Sequence, residues 1–126
     1  MELNLRNPLA FIDLETTGVD IVKDRIVEIA ILKILPDGSK ENFLQRINPT
    51  IPINEKAIKI HGITNEELKD KPTFAEVGKK IAKFIEGCDL AGYNSNKFDF
   101  PLLVEEFIRA DIDFDIKKRK FIDVQV

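Results

Sequence analysis

The segment from Leu9 to Leu14 constrains this chain most, because it is apolar at both odd and even positions. A strand that shows water one face alternates; a run apolar at both parities implies a central strand covered on both sides. Arg25 to Leu35 is a second long apolar run rich in β-branched residues. Pro36-Asp37-Gly38 follows it as a turn, and Glu41 to Ile47 reads as the returning strand of a hairpin. After the proline-punctuated stretch Asn48 to Pro52 the pattern becomes helical. Thr64-Asn65-Glu66-Glu67 and Thr73-Phe74-Ala75-Glu76 both have the capping-box form, threonine with glutamate three later. The second opens an amphipathic helix with Phe74, Val77, Ile81, Phe84 and Ile85 on one face, and Gly87 is placed to end it. Asp89 to Tyr93 is a short strand, Pro101 to Ala110 a helix, and Lys120 to Val126 a last strand. This order predicts a mixed α/β sheet flanked by helices and excludes all-α and sandwich folds.

With 126 residues there is room for one core. No stretch approaches the ~20 apolar residues of a membrane span. The N-terminus has no basic start followed by an apolar run, so no secretory signal is expected. The net charge of −3 provides no global attraction to nucleic acid, but cations along a substrate track can still act locally. The lone Cys88 excludes an internal disulfide, fits a reducing cytoplasm, and reads better as a small buried hydrophobe than as a reactive thiol.

The chemistry begins at Asp13-Leu14-Glu15-Thr16-Thr17-Gly18. Residues i and i+2 of a strand point the same way, roughly 6.5–7 Å apart, so Asp13 and Glu15 share a face at the strand's end. Two neighbouring carboxylates repel and are costly to desolvate. A hard divalent cation resolves both problems, since Mg²⁺ and Mn²⁺ prefer carboxylate oxygens. The plainer reading is a strand showing its acids to water; Phe11, on the same face, argues for burial instead. Asp99, within Asn94-Ser95-Asn96-Lys97-Phe98-Asp99-Phe100-Pro101, falls just inside a helix. Alone it reads as a first-turn acid complementing the helix dipole. Beside Asp13 and Glu15 it can close a metal site.

These segments together resemble the DEDD, or DnaQ-like, 3′→5′ exonucleases. Phe11 to Gly18 is similar to the family's first motif, Gly92 to Asp99 to its second, and Ile60-His61-Gly62-Ile63-Thr64 to the His-Gly-Ile segment between them. Within the family, the resemblance is to the proofreading (epsilon) type of subunit of bacterial DNA polymerase III and its stand-alone relatives. The resemblance implies a ribonuclease H-like fold with antiparallel first strands. It makes Asp13, Glu15 and Asp99 the catalytic, metal-binding carboxylates for two divalent cations, Mg²⁺ or Mn²⁺. It places Thr16 and Thr17 in the pocket of the 3′-terminal nucleotide, with Leu14, His61, Asn94 and Phe98 contacting or bordering that nucleotide. His61 sits in a loop before a capped helix and is also readable as a surface or capping residue.

The implied reaction is two-metal hydrolysis of single-stranded DNA 3′ ends to nucleoside 5′-monophosphates, with a DNA polymerase subunit as a further partner and no membrane. Neither form of the family's third motif, a histidine or tyrosine with a fourth aspartate, follows Asp99. Asp123 belongs to a strand and is read as structural. Residues 1–126 are therefore read as one exonuclease domain shortened before its third motif, which by itself holds metal weakly and cleaves poorly. Other readings are an RNA-directed exonuclease of the same family, a vestigial nucleic-acid-binding module, and a module holding a polymerase or helicase. The basic run Lys117-Lys118-Arg119-Lys120 serves the last two, although a solvated loop is the plainer account of it.

Overall fold

The computed structural model describes residues 5–93, 97–115, 117 and 119–124. Three strands come first: β1 (Leu9–Thr16), β2 (Ile26–Ile34) and β3 (Lys40–Arg46). They form an antiparallel meander, with Leu9 opposite Ile34 and Ile34 opposite Lys40. The turn between β2 and β3 follows the sequence signal. Gly38 takes φ +88°, and Asp37 Oδ1 accepts from the Ser39 backbone N–H and hydroxyl. Helices α1 (Glu55–His61), α2 (Asn65–Leu68) and α3 (Phe74–Phe84) follow, then β4 (Asp89–Tyr93), α4 (Asp99–Arg109) and β5 (Phe121–Val124). The sheet order is β3-β2-β1-β4-β5, with β4 parallel to β1 and β5 parallel to β4. The predicted mixed α/β architecture and the central place of the first strand are both observed.

One face of the sheet carries the main core. Ala10, Ile12 and Leu14 of β1, Ile29 and Ile31 of β2 and Leu90 of β4 pack against α3 and α4, through Phe74, Ile81, Phe100, Leu103 and Phe107. A smaller cluster of Val27, Ile53, Ala57, Ile63 and Leu68 lies under α1 and α2. The two meet at a bulge. Glu15 pairs with Glu28 but Thr16 with Ile26, which leaves Val27 as the extra residue of β2 and turns it into the second cluster.

The opposite face corrects the expectation of a strand covered on both sides. Phe11 is half-buried and Asp13 exposed, in a cleft of about 420 Å³ lined also by Ala30, Leu32, Leu44 and Tyr93. Phe11 therefore shares an open face with Asp13, and its presence does not imply that the acids are buried.

A second correction concerns His61. It is not in a loop but is the last residue of α1. Asn54 caps that helix by accepting from the Lys56 N–H, and Gly62 at φ +73° ends it. The helix buries only Ala57, so its sequence has no apolar period to announce it.

Candidate active site

The end of β1 and the start of α4 bring the acids together. Leu14 is buried in the core, so its neighbours Asp13 and Glu15 project to the other face. Asp99 enters from the first turn of α4, and its carboxylate accepts from the Leu14 backbone N–H. β1 and β4 pair only from Leu9 to Phe11. Past Phe11 no β4 partner follows, and the Leu14 N–H is taken by Asp99 instead.

The electrostatics record this crowding. Burial, then the charges of Asp13 and Glu15, push the Asp99 carboxyl up to about 6 from its ordinary 3.8, and Asp123 adds to the effect. The Glu15 carboxyl is also raised, by burial first and by Asp13 second, while His61 acts the other way. Glu28, opposite Glu15, is bound by Arg46 at 3.0 Å, and Arg46 also bonds Glu67 at 2.7 Å. Asp13 and Glu15 raise the proton affinity of Asp99, and Asp13 raises that of Glu15; carboxylates crowded in this way form a donor set of the kind hard divalent cations hold. The set is not a closed cage: no group of three or more acidic, histidine or cysteine side chains takes metal-holding geometry among the described residues.

Beside the acids lies a pocket of about 240 Å³, lined by Glu15, Thr16, Gly18, Val19, Ile60 and His61 among others. Val19 and Ile60 are 89% and 83% exposed, so the pocket has an apolar rim. His61 is committed on both ring nitrogens. Nδ1 accepts from the Ile63 N–H at 3.0 Å, which leaves Nε2 to donate to the Thr16 carbonyl at 2.9 Å. The ring thus ties the end of α1 to the end of β1 while its edge lines the pocket.

The other sequence-predicted residues divide. Thr16 lines the pocket, and its hydroxyl donates to the Gly18 carbonyl at 2.7 Å. Thr17 is wholly buried; its hydroxyl donates to Asp24 Oδ1 at 2.7 Å and accepts from the Arg25 N–H at 3.0 Å. Its side chain therefore shapes the pocket from beneath and does not line it. Leu14 is likewise a core residue, which reaches the site through its backbone. Phe98 packs against the core at the start of α4. Asn94 lies outside the described residues, as does Lys118 of the basic run. In that run Arg119 points inward, donating to the carbonyls of Asp115 and Ile85 and stacking over Phe114.

Sequence reading missed the support beneath the loop after β1. The Asp24 carboxylate, held by Thr17 and the Asp20 N–H, would meet a Cβ on Gly18 at 2.5 Å. Buried Glu106 accepts from the Ile26 N–H and pairs with Arg109, which donates to the carbonyls of Val22 and Asp24. The spacing of Glu106 and Arg109, three apart on a helix, was the available signal.

Fold and site define a mixed α/β domain that gathers carboxylates at the end of its central strand. The family model described as Exonuclease, of the RNase T type, matches residues 10–125, and the chain belongs to that family, the DEDD or DnaQ-like exonucleases. The chain is 35% identical over 102 residues to the PolC-type DNA polymerase III of Caldanaerobacter subterraneus subsp. tengcongensis, covering 81% of this chain and 7% of that protein. It is 33% identical over 110 residues to the DNA polymerase III subunit epsilon of Pasteurella multocida, covering 82% of this chain and 43% of that one. The chain thus spans less than half the length of these relatives. E. coli exonuclease I, solved in complex with a dT13 oligonucleotide, has the same fold, with a TM-score of 0.82 at 22% identity over 94% of this chain and 28% of that one. Exonucleases of this family generally use divalent metal ions.

Proposed function

We propose that this chain supplies the metal-binding and end-recognising part of a 3′→5′ exonuclease. It acts on single-stranded DNA ends and releases nucleoside 5′-monophosphates, in proofreading or repair. The observation that carries the reading is the placement of Asp99, at the start of α4 and bonded to the Leu14 N–H, beside Asp13 and Glu15 of β1, where burial and those two charges push its carboxyl up to about 6. A protein keeps such mutual repulsion at the mouth of a strand when something cationic relieves it.

Asp13, Glu15 and Asp99 would hold two divalent cations, Mg²⁺ or Mn²⁺, which stabilise negative charge on phosphodiester oxygens. The chain's own residues do the rest. The Leu14 N–H orients the Asp99 carboxylate. Thr16, His61 and the apolar rim of Val19 and Ile60 receive the terminal nucleotide, with Thr17 and Asp24 fixing the backbone under it. Phe98, at the start of α4, borders the same end, and the family resemblance gives Asn94 the same role. The DNA polymerase III names of the relatives support a polymerase subunit as partner, and the buried, lone Cys88 suits a cytoplasmic protein. Among the described residues no helix is long and apolar enough to cross a membrane.

The test uses the full-length protein with Mg²⁺ or Mn²⁺ and single strands labelled at either the 3′ or the 5′ end. Shortening from the 3′ end with release of monophosphates is expected. Asp13→Ala should lower the rate by several orders of magnitude, because the neighbouring acids cannot replace it. Thr16→Ala should mainly raise KM, since it removes a pocket contact and leaves the acids in place. Internal cleavage products, or a rate indifferent to Asp13→Ala, would show the chemistry to reside elsewhere.

A further inference from the structure

The loop between β1 and β2 brings Gly18 and Val19 to the rim of the pocket beside the acids. Val19 is 89% exposed, so packing does not hold its side chain in place. Only the course of the loop backbone does. Within the loop, the Asp24 carboxylate accepts from the Thr17 hydroxyl and the Asp20 N–H, and the Asp20 carboxylate accepts from the N–H groups of Val22 and Lys23. These bonds are local. They give the loop a shape but do not fix how it sits against the sheet. Its first residue is tied to the cap of α1, where the Asn54 N–H donates to the Thr17 carbonyl at 2.8 Å.

Its far side is tied to α4. The Arg109 guanidinium donates to the carbonyls of Val22 and Asp24 at 2.9 and 3.1 Å. Glu106 steadies that fork, with Oε1 accepting from Nε at 3.2 Å and from Nη2 at 2.9 Å, while Oε2 accepts from the Ile26 N–H where β2 begins. Glu106 is buried. Taking such a pair out of water is costly, and apolar residues of similar volume often serve stability as well. What they could not do is grip two carbonyls in a fixed direction.

We propose that Glu106 and Arg109 are positioning residues for the terminal nucleotide. By locking the β1–β2 loop to α4, they hold Gly18 and Val19 at a fixed offset from Asp99, which begins the same helix about 15 Å away. One helix thus carries an acid of the site at one end and, at the other, the grip that sets the rim of the pocket. The inference rests on the exonuclease reading of that pocket, and neither residue touches substrate. Freeing the loop lets Val19 wander, so the nucleotide is held less tightly while the acids stay as they are.

The experiment has two arms, both on the full-length protein with Arg109→Met and Arg109→Lys. Methionine keeps most of the length and removes every donor, whereas lysine keeps the charge and loses the fork. In ¹⁵N amide spectra without substrate, Arg109→Met is expected to shift and broaden the Gly18 and Val19 resonances, and Arg109→Lys to do so less. In steady-state cleavage of a 3′-labelled single strand with Mg²⁺, Arg109→Met should raise KM about tenfold and leave kcat within about twofold, with Arg109→Lys between it and wild type. Both arms are run well below each variant's unfolding temperature. If Arg109→Met does not fold, the lysine variant decides by the same signs. A fall in kcat at unchanged KM, or lowered stability with KM and both amides at wild-type values, would overturn the proposal. Absence of cleavage by the wild-type protein would sink the exonuclease reading instead. The amides then decide the grip on the loop, and unmoved Gly18 and Val19 resonances refute it.

Discussion

Asp99 carries its charge against a low-dielectric surrounding and three acidic neighbours, Asp13, Glu15 and Asp123, with one backbone N–H in its favour. Its carboxyl titrates near 6 in the folded chain and near 3.8 in an ordinary setting. The folded state therefore holds this proton more tightly than the unfolded state does. Stability from this source is fully present below about pH 4 and is lost as pH rises through 6. Thermal unfolding followed from pH 4 to 7 should show that decline, and Asp99→Asn should flatten it. The variant's gain at pH 7 should be on the order of 1 kcal/mol, a figure reduced for partial solvent screening. A slope unchanged in Asp99→Asn would place the repulsion elsewhere. Thr17 offers the opposite case. Thr17→Val keeps its volume but leaves Asp24 Oδ1 and the Arg25 N–H without partners, which should cost about 1–3 kcal/mol. Chemical denaturation would measure it; a neutral result would mean that water replaces the hydroxyl.

Helix α1 shows how an element can matter to a site while leaving little trace in sequence. Its one buried residue, Ala57, sets no period, and its boundaries rest on Asn54 and Gly62. Gly62 at φ +73° is the sensitive point, because a side chain there is strained even with open space around it. Gly62→Ala should cost about 1 kcal/mol. It should also weaken binding of a short oligonucleotide to the full-length protein, since the turn presents the His61 ring to Thr16. Loss of stability with unaltered binding would separate α1 from the pocket. By contrast β1, β2, α3 and α4 were legible to within a residue or two, because deep burial imposes a period on sequence and α1 has almost none; β3 has no deeply buried residue and was legible from the Pro36-Asp37-Gly38 turn before it. The positions of the acids were legible for a related reason, since strand parity alone puts Asp13 and Glu15 on one side. Parity could not say how open that side is. Nor could it place Thr17 beneath the pocket, because that depends on Asp24 arriving from the loop. The grip of Arg109 on that loop reaches 87 and 85 residues back along the chain, which no local pattern encodes.

Across the whole molecule, the central strand has one partner nearby and one far off. β1 meets β2 across a short loop, whereas Leu9 meets Asp89 some eighty residues along the chain. Closing so long a loop carries an entropic cost that the meander does not face. The three-strand meander should therefore be largely formed at the rate-limiting step of folding, with β4 and β5 docking after it. Stopped-flow chevrons would read this order directly. Ile31→Val, inside the meander, should slow refolding, by roughly fivefold if its cost of about 1 kcal/mol is felt in full at that step. Leu90→Ala in β4 should leave refolding nearly unchanged and speed unfolding. The reverse pattern would put the parallel pair in the nucleus. If the order holds, Asp13 and Glu15 are in place early, and Asp99 joins them only in the last phase, when α4 closes on the sheet. The three charges would then meet after the barrier has been crossed, so their repulsion would shorten the lifetime of the folded state and leave the time needed to reach it almost untouched.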